Sequence, residues 1–108
     1  MICILFALSA VFGLVILKNW LTGGSTSKTI VYGHGLLAAA ALVSLVIYIL
    51  KNDSTPLRVS LTLFVVAAMA GFYMFARDLK GKFSPVWLAV IHGLVAVSGF
   101  TVLLLQLI

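Results

Sequence analysis

The chain has 108 residues, of which 64% are hydrophobic and 8% charged, with a formal net charge of +5. Soluble domains carry roughly 45–50% apolar and about 25% charged residues, so a mean hydropathy of +1.30 excludes an ordinary soluble domain and implies an integral membrane protein. The positive charge sits between apolar runs, where it sets topology, and does not point to nucleic acid.

The first apolar run, Ile2–Trp20, lacks a basic leader and a cleavage motif and continues through Leu14-Val15-Ile16-Leu17, so it reads as a true span. Cys3 is the only cysteine, which excludes a disulfide framework and a cysteine-based zinc site. The loop Thr22-Gly23-Gly24-Ser25-Thr26-Ser27 follows, then a second span over Thr29–Leu50. Asn52-Asp53-Ser54-Thr55-Pro56 stops that helix and caps a third, Leu57–Ala76. Gly81 and Ser84-Pro85 punctuate before the fourth, Pro85–Ile108. Each run has the roughly 20 apolar residues a bilayer crossing needs. None has the wide polar face of a soluble bundle or the alternation of a membrane barrel. Short connections make successive helices antiparallel neighbours, so the expected fold is an all-α, four-transmembrane-helix up-down-up-down bundle in one domain, 1–108.

Charge at the connections gives an orientation. Lys18, Lys28, Arg77, Lys80 and Lys82 flank the first and third connections, against Lys51 and Arg58 at the second. Counting Lys and Arg places the first and third connections in the cytoplasm and both termini outside it, with Trp20 and Trp87 near the cytoplasmic interface. A bacterial inner membrane is the expected location.

A tandem repeat of two-helix halves, about 1–50 and 57–108, runs without gaps from Leu5/Leu63 to Leu45/Leu103 at an offset of 58 residues. It pairs His34 with His92, Gly13 with Gly71, Gly23 with Gly81, Ala10 with Ala68 and Ala38 with Ala96. Such halves are related by an axis along the membrane normal. The chain's only two histidines therefore lie at similar depth on the second and fourth helices, which a square bundle makes diagonal partners. An ionisable residue within a span is a functional-site hypothesis by default. The competing role, a hydrogen bond between helices, stands beside it.

Two neutral imidazoles converging in hydrocarbon need a partner. Zinc or copper would require further ligands, and the spans hold no Asp or Glu beside them. Haem needs only two axial ligands, because the porphyrin supplies the other four. Ala38 and Ala41 follow His34 on its face, and Ala96 and Gly99 follow His92, leaving room for a flat macrocycle. Gly35 and Gly93 adjoin the histidines, while Gly13 and Gly71 lie at the same level on the other helices, where a porphyrin edge would pass close to the backbone. Ordinary helix packing is the competing role for these small residues. Lys28, Arg77, Lys82, Tyr32 and Ser84 are candidate partners for haem propionates, and equally candidate interface anchors. Met69 and Met74 have no methionine counterpart in the other half, and Phe6/Phe64 read as bundle core or lipid contact.

In His34, His92, Gly13 and Gly71 the chain resembles the haem-binding four-helix modules of membrane b-type cytochromes, both quinol-oxidising cytochrome b and the cytochrome b561-like proteins. The resemblance is one of architecture. It implies one haem b per chain with bis-histidine iron, acting in electron transfer with quinol, superoxide or a redox protein. Those bundles often carry a second histidine about thirteen residues along the same helix; here Ile47 and Leu105 occupy those positions, so one haem is expected. No nucleophile, general base or carboxylate pair suggests a substrate-transforming site. Two other functions stay open: a small four-span transporter of multidrug-resistance size, although the chain contains no Glu to couple one, and a non-catalytic membrane subunit. A haem shared across a homodimer, with one histidine from each chain, is open as well.

Overall fold

The computed structural model describes residues 2–23, 28–82 and 85–107. Four α-helices follow in chain order: α1 (Ile2–Leu21), α2 (Lys28–Lys51), α3 (Thr55–Leu79) and α4 (Val86–Leu107). All four are long and apolar enough to cross a bilayer. The bundle is elongated along them, measuring 42 × 23 × 22 Å. Its outer surface is apolar: Leu14, Leu36, Phe72, Leu94 and Leu105 are all more than 60% exposed, which suits hydrocarbon surroundings.

The helices extend beyond the apolar runs at several ends. α3 continues through Arg77 and Asp78, expected in a connection, because backbone hydrogen bonding does not depend on side-chain polarity. Lys18, Lys51 and Arg77 occupy last turns, where a cation also complements the helix dipole. α4 begins at Val86, one residue after the Pro85 expected to open it.

The punctuation is physical. Ser54, extended at φ −156°, caps α3 by accepting from the Leu57 amide, with Pro56 in the first turn. At the other end of α3, Gly81 takes φ +73°, and the amides of Gly81 and Lys82 donate to the carbonyls of Asp78 and Arg77 at 3.0 and 2.9 Å. This is the hydrogen-bond pattern of a Schellman stop. Gly23 takes φ +76° at the end of α1, so the two halves end their first helices with the same left-handed glycine. Residues 24–27 and Ser84 lie outside the described residues.

Asp53 and Arg58 form a two-bonded fork that staples the second connection to the first turn of α3. That hydrogen bond holds the exposed Asp53 carboxyl below its ordinary pKa. A depressed carboxylate stabilises the fold above its unfolded pKa and ceases to as pH falls through its folded one. Asp53→Asn is therefore expected to lower the unfolding temperature at neutral pH, and the two proteins to converge in acid; thermal unfolding followed by circular dichroism at pH 7 and below 3 checks this.

Neighbouring helices pack as a square, closely within the hairpins α1–α2 and α3–α4 and more thinly between them, along the α1–α4 and α2–α3 seams. α2 and α4 are thus diagonal. The core obeys the repeat: Phe6 and Phe64, Ser9 and Ala67, Ala41 and Gly99, and Leu45 and Leu103 are all buried. Phe6 and Phe64 stack face to face across the bundle, centroids 4.0 Å apart and planes within 5°. Between lipid-embedded helices, packing replaces transfer from water as the stabilising term. Phe6→Ala is expected to cost at least the roughly 1 kcal/mol of a ring pair, and Phe64→Ala to cost about 1 kcal/mol less in the Phe6→Ala background than in the parent; a double-mutant cycle of unfolding in detergent reads this coupling.

Candidate functional site: an imidazole pair on the repeat axis

His34 and His92 each stand six residues into their helices, α2 and α4. Their ring centroids are 6.2 Å apart, with the ring planes at 79°. The diagonal placement of α2 and α4 therefore does bring the two imidazoles together inside the bundle, with Phe6 and Phe64 meeting across it toward the chain termini.

Each ring is fixed by a main-chain carbonyl. His34 Nδ1 lies 2.7 Å from Ser9 O, and His92 Nδ1 lies 2.6 Å from Ala67 O. Both acceptors precede their histidine by 25 residues, so the repeat extends to this hydrogen bond. A carbonyl only accepts, so Nδ1 carries the proton on both rings and Nε2 keeps its lone pair. Metal-binding histidines are oriented in this manner, with the other ring nitrogen donating to a carbonyl or carboxylate. Neither Ser9 nor Ala67 figures among the residues expected from the sequence. Any residue offers a carbonyl, so only the 58-residue offset combined with the helix pairing could have pointed to them.

Gly13 and Gly71 face the histidines of their own hairpins. A methyl group on Gly13 would stand 3.0 Å from His34 Cε1, and one on Gly71 3.1 Å from His92 Cε1. The room these glycines leave is occupied by imidazole edges, where a porphyrin edge was expected. Gly33 makes a closer approach: a methyl group there would lie 2.6 Å from the Phe12 ring. In the second half the sizes are exchanged, with Ala70 at the position of Phe12 and Ile91 at that of Gly33. Gly35 and Gly93 have nothing within 4 Å of an added methyl.

Of the small residues beyond the histidines, Ala38 and Ala96 are half-buried, and Ala41 and Gly99 lie in the core. A Cβ on Gly99 would meet Leu63 and the Phe64 ring at 3.2–3.4 Å, so that space belongs to the phenyl stack. At the rim, Lys28 Nζ lies 3.9 Å from Asp78, Tyr32 meets Phe75 edge to face at 5.7 Å, and the Arg77 guanidinium lies over Tyr73 at 5.8 Å. Lys82 is exposed, and its amide closes the stop of α3.

The donor set decides what the pair could hold. Among the described residues no group of three or more His, Cys, Asp or Glu gathers at one place. A bare zinc ion, which takes three or four protein ligands, is not served. A metal that brings its own in-plane donors needs two axial ligands only. Each Nδ1 donates to a carbonyl and leaves an Nε2 lone pair as the donor such a metal would take.

No family model, curated protein or solved structure matches this chain.

Proposed function

We propose that this bundle is a small membrane cytochrome that holds one haem b between His34 and His92 and exchanges single electrons. The observation that carries the reading is the paired Nδ1–carbonyl bond, 2.7 Å in one half and 2.6 Å in the other. It leaves two Nε2 lone pairs on rings 6.2 Å apart. When bound, haem supplies a reversible one-electron couple at its iron.

The chain's own residues set the limits of that chemistry. His34 and His92 would hold the haem iron, one imidazole from each half, which favours electron transfer over oxygen activation. Ser9 and Ala67 hold the rings through their carbonyls. Ala38 and Ala96, half-buried one turn beyond the histidines, keep side chains there small. Phe6 and Phe64, with Leu45 and Leu103 buried beyond them, fill the half nearer the termini, and Ile47 and Leu105 supply no second ligand pair. Lys28, Lys82 and Tyr32 at the rim are the groups that would meet propionates, Lys28 in exchange for its contact with Asp78.

The basic residues favour a cytoplasmic position for the connections α1–α2 and α3–α4, hence for the haem end, in a bacterial-type inner membrane. The electron partner is a quinol, superoxide or a redox protein. Titration of the purified, haem-free protein with hemin tests the binding. Quenching of Trp20 and Trp87 fluorescence is expected to saturate at one hemin per chain in the parent. Weak, non-saturating quenching in the parent would reject the reading.

A further inference from the structure

The repeat makes the two imidazoles equivalent in position, yet it does not make them equally held. Ser9 is 4% exposed, and its hydroxyl lies 3.2 Å from the His34 carbonyl oxygen, to which it donates. The same Oγ lies 3.2 Å from His34 Nδ1, close enough to share that N–H with the Ser9 carbonyl. The α1–α2 hairpin is therefore tied at the histidine by both polar groups of one serine. Its counterpart Ala67 gives His92 a carbonyl only. The second hairpin has its own side-chain tie, Ser60 Oγ donating to Gly99 O at 2.8 Å, but that lies seven residues beyond His92 and does not touch the ring.

We infer that Ser9 is a positioning residue that makes His34 the fixed imidazole and leaves His92 the one that yields. The carbonyl contacts are nearly the same length, so the asymmetry rests on a single buried hydroxyl. On the haem reading, on which this consequence rests, His34 would be the ligand retained and His92 the one more readily released.

The test has one arm that needs no haem. In ¹⁵N-histidine-labelled, haem-free protein in micelles, both rings are expected to show the Nδ1–H tautomer. The His34 Nδ1 proton should exchange with water roughly fivefold more slowly than that of His92, the factor expected of one neutral hydrogen bond. Ser9→Ala should remove the difference, Ala67→Ser should slow His92, and Ser9→Thr should preserve the parent pattern. Equal exchange in the parent, or a difference that survives Ser9→Ala, would overturn the inference. The second arm uses hemin. Ser9→Ala is expected to weaken its binding on the order of 10-fold, and His92→Ala to retain a five-coordinate, high-spin haem that His34→Ala loses. The reverse order of retention would also overturn it. If hemin does not bind the parent at all, the haem reading fails, and the exchange rates alone decide the role of Ser9.

Discussion

Alanine at Gly13 or Gly71 is expected to lower hemin affinity by about 10- to 100-fold, the range found when groups that orient a metal ligand are disturbed. A Cβ on Gly13 would stand 3.0 Å from His34 Cε1 and 3.3 Å from Nδ1. The ring has little freedom to retreat, because the same Nδ1 is bonded to Ser9 O at 2.7 Å. Either that bond lengthens or α1 moves away from α2, and both displace Nε2. The second half repeats the argument with Gly71, His92 Cε1 at 3.1 Å and Ala67 O. Helix stability alone would change the other way, since glycine to alanine gains about 1 kcal/mol in a helix interior. Hemin titration paired with detergent unfolding separates the two: affinity should fall even where the gain in helix propensity offsets the crowding and leaves the unfolding midpoint unchanged. Unchanged affinity in both variants would show that the imidazoles adjust without loss.

The second large effect is a reversal of sign within Gly33-His34-Gly35. Gly33→Ala places a methyl group 2.6 and 2.9 Å from two atoms of the Phe12 ring. Overpacking of this kind costs typically 1–3 kcal/mol. Gly35→Ala meets nothing within 4 Å and should stabilise by about 0.5–1 kcal/mol through helix propensity. Phe12→Ala should rescue Gly33→Ala, since Ala70 already stands at the Phe12 position of the other half. Unfolding midpoints of the three variants and the Phe12→Ala/Gly33→Ala pair check this. Equal effects at Gly33 and Gly35 would contradict the α1–α2 packing described here.

Both expectations depend on contacts that the sequence conceals to different degrees. The spans follow from hydropathy, and the diagonal placement of α2 and α4 follows from short connections. Together with the repeat, these were enough to bring His34 and His92 together. The offset of 58 also marked Phe6/Phe64, although only the structure shows that the rings stack on one another. The role of Gly13 and Gly71 was not legible, because a glycine reports that something passes close to it and not what passes. The acceptors of Ser9 and Ala67 were hidden for a different reason, since they are main-chain atoms. The polarity of Arg77 and Asp78 reads as a connection, whereas α3 runs through both and stops at the left-handed Gly81.

The ends of the molecule separate the symmetric from the asymmetric parts of the repeat. The buried pairs persist, while the α2–α3 rim carries Lys28, Tyr32, Phe75 and Asp78 where the α4–α1 rim has Val86, Val90, Leu17 and Trp20. On the proposed reading, repeat-related ligands in unlike surroundings would suit an asymmetric cofactor such as haem b.

The most direct test is the visible absorption spectrum of the detergent-purified protein, first oxidised and then reduced with dithionite. The expected result is a sharp reduced α-band from one haem per chain, the sharp band being absent from both His34→Ala and His92→Ala, the latter keeping a high-spin haem. A colourless protein that takes up no added hemin would contradict the haem clamp, and would leave the imidazole pair as a hydrogen-bonded joint between helices or part of a transport path.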